Sequence, residues 1–173
     1  MKKVITLCLF VLMAMTASAQ KFALVDMDYI LKNIPTYERA NEQLNQAGEK
    51  WKAEVDSINT EASTMYRNYQ NEMAFLSPQQ KKARQQAIVD KEKQASDLKK
   101  QYFGPEGELS KERESLMSPI QEKIYNAIKD ICELHDYSLV VDRASNSGII
   151  FGSPKIDISN EVLRKLGYSN NKY

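Results

Sequence analysis

The side chains able to do chemistry are few and poorly placed for it. The single histidine, His135, precedes Asp136 at the end of an apolar helical stretch, where it suits the negative end of a helix dipole. A neighbouring His and Asp do not make a triad without a nucleophile brought to the ring. No serine stands in a G-x-S-x-G turn, and no glycine-rich loop could cradle a phosphate. Of the two cysteines, Cys8 lies in the opening segment and Cys132 in an apolar run, where a buried inert thiol is expected. One Cys and one His cannot close a zinc site, and no disulfide framework exists. Asp26, Asp28, Asp142 and Asp157 flank strand candidates, where carboxylates cap and turn the chain. These patterns point away from an enzyme, and neither cofactor nor metal is expected.

The chemistry left is that of weak contacts, carried by a long ladder of apolar side chains. It reads Tyr37, Ala40, Leu44, Ala47, Trp51, Val55, Ile58, Ala62, Met65, Tyr69, Met73, Leu76. Steps of three and four give a period of about 3.5 residues, that of a coiled-coil seam. Within it only Gly48 weakens the helix. So narrow a stripe cannot bury itself and needs a partner helix. Leu76-Ser77-Pro78-Gln79-Gln80 marks a restart, with Ser77 as N-cap, Pro78 in the first turn and Gln80 completing a capping box. The arm therefore spans 35–118 as an antiparallel hairpin with its tip near 76–78. Phe103-Gly104-Pro105-Glu106-Gly107 is a rival tip, but it would leave most of the ladder unpaired, so a kink in the return helix is expected there.

Charge is near balance overall and uneven locally. Lys2 and Lys3, the apolar run Val4 to Met15 and Ala17-Ser18-Ala19 form a signal peptide over 1–19, cleaved after Ala19. The apolar run is too short to span a bilayer. Removing its two lysines from the 24 Lys and Arg leaves 22 against 23 Asp and Glu, which argues against a nucleic-acid partner. Residues 35–76 carry four basic and seven acidic side chains; residues 77–100 carry seven basic and three acidic ones. Pairing between the arms is the simple consequence. The alternative sends Lys81, Lys82 and Arg84 to anionic lipid headgroups or acidic partner segments.

The remaining residues, 20–34 and 119–173, form a small body. A strand is expected at Phe22–Val25, followed by a short helix through Ile30 capped by Asp26 or Asp28. Pro119 can cap or kink the return helix, whose face then widens through Ile120, Ile124, Ile128 and Ile131. Ser138–Asp142 and Gly148–Gly152 read as a β-hairpin across the turn Asn146-Ser147-Gly148. A last helix follows Asn160 and stops at Gly167. The fold class is thus α+β: a small β-sheet body with a long antiparallel α-helical hairpin. Leu24, Val25, Leu139, Val140, Val141, Ile149 and Ile150 are the candidates for the core of the body or of an oligomer. So small a core is marginal alone, which suggests that subunits share it.

Several segments together resemble the Skp family of periplasmic chaperones, also called the OmpH family. They are Ala23-Leu24-Val25-Asp26 with Ile30-Leu31 and Pro35; Pro119-Ile120-Gln121-Glu122-Lys123-Ile124 with Ala127-Ile128; Tyr137-Ser138-Leu139-Val140-Val141-Asp142; and Asp157-Ile158-Ser159 with Val162 and Leu166. The resemblance implies a homotrimer with a shared β-rich hub and arms enclosing a cavity, holding unfolded outer-membrane proteins in the periplasm without ATP or metal. Well-known members are strongly basic, and this chain is not. In that setting Met65, Tyr66, Tyr69, Met73 and Phe75 are the candidate client contacts, because flexible Met and amphipathic Tyr suit promiscuous surfaces. Met65, Tyr69 and Met73 belong either to the seam or to this grip, and the simpler alternative is that all of them close the hairpin. The rival readings are a structural or adaptor protein of the envelope and an envelope-lipid binder.

Overall fold

The computed structural model describes residues 21–145 and 148–168, which divide into two compact units. One comprises residues 34–122; the other joins the chain before Ile34 to the chain after Glu122.

The second unit holds a two-stranded sheet of β1 (Lys21–Val25) and β2 (Tyr137–Asp142). The strands run parallel, with Phe22 opposite Leu139 and Val25 opposite Asp142. Helix α1 (Met27–Lys32) starts immediately after β1, because the Asp26 carboxylate accepts the Tyr29 amide at 2.8 Å. Beyond the other edge of β1, Leu24 makes a parallel bridge to Asp157, and the Ile158 amide donates to the Leu24 carbonyl at 2.9 Å. Helix α5 (Ser159–Lys165) follows directly and packs on α1. Ile30, Ile124, Ile131, Val162 and Leu163 are almost completely buried and form the core of this unit.

A polar knot fastens the strand ends. Arg143 reaches Asp26 and Asp157, each at 3.2 Å. The Met27 amide donates to Asp142 at 3.1 Å, and the Asp26 amide donates to the Ser159 hydroxyl at 2.8 Å. The aspartates expected to cap and turn therefore do so cooperatively. Asp136 supplies the left-handed residue (φ 58°) between the long helix and β2, a conformation that Asp tolerates better than most residues.

The β-hairpin read from 138–152 does not form. Residues 148–152 are not a strand, and of the turn residues Asn146 and Ser147 lie outside the described part. The neighbour that β2 takes is β1, in parallel, and the other edge of β1 is taken by Asp157. Alternating apolar residues flanking a turn signal local pairing, yet here a partner more than a hundred residues away won. Signals of local periodicity carry no information about that competition.

In the first unit α2 (Pro35–Glu72) packs against α3 (Pro78–Phe103). Ala40, Leu44, Val55, Ala62 and Tyr69 of the ladder are buried, as are Ile88 and Ala95 on the return. Helix α2 stops at Glu72, before the ladder's last apolar residues. Pro78 holds Ser77 in an extended conformation (ψ 160°), so the reversal occupies Met73–Ser77. The expected capping box is present, with Ser77 and Gln80 bonding reciprocally at 3.3 and 2.9 Å. Helix α4 (Glu108–His135) continues the return and runs through Pro119 without a break.

Between α3 and α4 the chain leaves the helix at Gly104–Gly107, as the breakers there demand. A Cβ on Gly104 would collide with the Lys100 carbonyl, and one on Gly107 would lie 2.7 Å from the Tyr102 carbonyl. The break does not shift the pairing of the arms. Glu72–Arg84, Glu61–Lys91, Glu54–Tyr102 and, beyond the break, Gln43–Glu112 follow one antiparallel register, a total of 29 residues back along α2 being matched by 28 forward on the return.

Gly48 differs, since a Cβ there would meet nothing within 4 Å. Gly107→Ala is therefore expected to lower the denaturation midpoint, whereas Gly48→Ala should raise stability by up to about 1 kcal/mol through helix propensity alone. Urea unfolding followed by circular dichroism checks both signs.

Candidate functional site

The sequence candidates at the arm tip separate into three groups. Tyr69 belongs to the seam: it is 8% exposed, and its hydroxyl accepts from the Gln85 side chain at 2.9 Å. Met65 is half-buried. Tyr66, Met73 and Phe75 are exposed, Phe75 to 90%. Phe75 sits in the reversal itself, where no helix partner can cover it. Val89, half exposed on α3, belongs with them and was missed. The register set by Glu61–Lys91 and Tyr69–Gln85 places it level with Tyr66. A branched apolar residue beside seam residue Ile88, in an otherwise polar helix, was the available signal.

Two of the seven cations in the basic stretch are drawn into holding the hairpin. Arg84 pairs with Glu72 at 3.4 Å, and Lys91 pairs with Glu61 at 2.8 Å. These are the acidic-to-basic arm pairs that the uneven charge suggested. Lys81 is half-buried and Lys82 exposed. Exposed pairs of this kind contribute about 0–1 kcal/mol each and set register more than stability.

Further along, Trp51 and Tyr102 stack with ring centroids 5.1 Å apart and planes 11° from parallel. The Tyr102 hydroxyl donates to Glu54 at 2.9 Å. That hydrogen bond raises the Tyr102 pKa above its ordinary value of 10.0, with smaller contributions from desolvation and from the charges of Glu54 and Glu108.

In the unit built on the sheet, Leu24 and Val25 are buried, while Val140, Val141 and Ile149 are half-buried. Leu139 is 52% exposed, and Ile150 and Phe151 stand almost wholly in solvent. Phe22 and Leu134 are exposed as well. His135 bonds to Glu161 at 2.8 Å, linking α4 to α5. Cys132 is half-buried, and burial with the nearby Glu133 charge raises its thiol pKa. Among the described residues no cluster of three or more His, Cys, Asp or Glu could hold a metal, and no helix is long and apolar enough to cross a membrane.

The geometry thus offers apolar contact surfaces and, among the described residues, no reactive constellation. The family model described as outer membrane protein (OmpH-like) matches residues 21–166, which is most of the sequence. The chain belongs to the OmpH-like family. Among solved structures, this OmpH-like chain is similar to an OmpH-like protein of Caulobacter crescentus CB15 proposed to be an outer membrane chaperone. The TM-score is 0.68 at 11% identity, covering 86% of this chain and 85% of the other. At that identity the likeness is one of fold. No curated protein matches the sequence. The mostly helical structure, with its small sheet and long hairpin, has the OmpH-like fold that the sequence resemblance implied.

Because its phenol holds its proton more tightly in the folded state, Tyr102 adds stability that is fully present below the ordinary tyrosine pKa. That stability is lost as pH rises through the raised value. Ultraviolet titration of the tyrosines should show a phenol ionising late in the native protein, and Glu54→Gln should move it back toward 10.0. An unchanged titration in that variant would show that Glu54 is not the cause.

Proposed function

We propose that this protein is an ATP-independent holdase of the periplasm that keeps unfolded outer-membrane proteins from aggregating. On this reading it is exported by a signal peptide cleaved after Ala19 and works as a homotrimer whose arms surround the client. The observation that carries the reading is the division of labour along the hairpin. The seam and its ion pairs close the arm on itself, while Tyr66, Val89, Met73 and Phe75 remain exposed toward its free end. Holding an unfolded chain requires weak, non-directional and reversible contacts, and scattered Met and aromatic side chains provide them. Membership in the OmpH-like family agrees with this, as does the chaperone role proposed for the Caulobacter protein.

The trimer gains support from the sheet unit. Phe22, Leu139, Ile150 and Phe151 are exposed in the single chain, and a shared hub is a reasonable place to bury them. A direct role for lipid headgroups has less support, because Arg84 is already paired with Glu72.

Diluting a urea-unfolded outer-membrane β-barrel protein into buffer tests the reading by light scattering. Residues 20–173 should suppress aggregation near one trimer per client, with or without ATP. A variant shortened by matched deletions on both sides of Ser77 should lose the effect while keeping its oligomeric state. No suppression by the folded protein would favour an adaptor that binds a single folded partner.

A further inference from the structure

The break in the return arm lies level with the one glycine of α2. The register fixed by Glu54–Tyr102 and Gln43–Glu112 brackets Gly48 on one arm and Gly104–Gly107 on the other. A helix interior has a cost for glycine, and Gly48 is not required by any close approach. A missing side chain thus faces a missing stretch of helix. A groove of about 510 Å³ opens at this level, floored by Leu44, Val55, Phe103 and Leu109.

Its rim is polar and two-signed. Glu49, Lys52 and Asp56 stand on the α2 wall, Lys99 and Arg113 on the return wall. None of these five side chains makes a hydrogen bond or ion pair with the described chain. Elsewhere along the hairpin facing polar groups are stitched together, as at Glu72–Arg84, Glu61–Lys91 and Tyr69–Gln85. The rim has acceptors and donors to spare around an apolar floor.

We propose that this groove is a docking subsite for an extended segment of unfolded polypeptide in which apolar and polar residues alternate. The proposal rests on the holdase reading and gives it a location on the arm besides the tip. An extended backbone presents N–H and C=O groups along both edges and needs both acceptors and donors nearby, which the carboxylates and cations of the rim supply. A strongly charged ligand of either sign would meet like charge on the rim. Leu44 and Val55 are eleven residues apart on one helix, a rise of about 16 Å. That length takes about five residues of extended chain, with every second side chain directed to the floor.

The test uses the intact protein and a short fluorescein-labelled peptide in which Phe alternates with Ser, read by fluorescence anisotropy. Gly48→Phe fills the groove from an open position, while Gly48→Ala changes the helix without filling it. Wild type and Gly48→Ala should bind alike, and Gly48→Phe about tenfold more weakly, the loss expected when an apolar side chain is denied its pocket. Should Gly48→Phe lose helical signal, Phe103→Ser removes the floor instead and should weaken binding similarly. Undiminished binding by a folded variant of either kind overturns the subsite. So does an absence of peptide binding by a wild-type protein that still suppresses client aggregation, an outcome that leaves the holdase reading intact. Failure of wild type in both assays overturns both.

Discussion

Parallel pairing of β1 with β2 is the constraint on which the rest depends. A parallel pair cannot be closed by a tight turn, so the chain between the strands must form a long crossover. Here that crossover contains the whole helical hairpin. The same arrangement gives β1 a second neighbour at Asp157 and gathers Asp26, Asp142, Arg143 and Asp157 at the strand ends. Arg143 satisfies two carboxylates at once, and its fork geometry suits that task better than a lysine would. Because residues distant in sequence close this knot, local signals near the C-terminus could not announce it.

The hairpin follows a different logic, written almost entirely in local sequence. An apolar stripe one residue wide demands a single partner, and opposite charges on the two arms select the antiparallel register. The capping box at Ser77 stops one helix and starts the next. Breaking the return helix at Gly104–Gly107 costs hydrogen bonds but no register. The Trp51–Tyr102 stack on one side and Gln43–Glu112 on the other keep the arms aligned across it. The chain thereby gains a local opening without unpairing its arms.

What was legible in the sequence followed from this contrast. The 3.5-residue ladder, the Ser77 cap and the break were all readable, because each is a property of neighbouring residues. The reversal falls at Met73–Ser77 because Pro78 acts on the residue before it, which moves the end of α2 back from Leu76. Met73 and Phe75 consequently sit in or beside a turn instead of on a helix face. Tyr69, which the sequence left between seam and contact, lies in the seam, where its ring completes the ladder and Gln85 holds its hydroxyl. Ile150, offered as a residue of the body or oligomer core, stands in solvent in the single chain because its segment forms no strand, and Leu139 is half exposed there on the strand that does form. Such assignments depend on which distant strand wins the pairing, and no periodicity reports that. Val89 was hidden by its neighbour Ile88, which occupies the seam position.

The central claim is that the exposed apolar residues at the arm's free end, and not its seam, touch the client. Site-specific photo-crosslinking tests it most directly. A photoreactive phenylalanine analogue placed singly at Phe75, Tyr66, Val89 and the seam residue Ala62 would be irradiated with a bound unfolded β-barrel protein. The account predicts adducts from positions 75, 66 and 89 and little from 62. Adducts confined to residues of the sheet unit, with none from the tip, would contradict it.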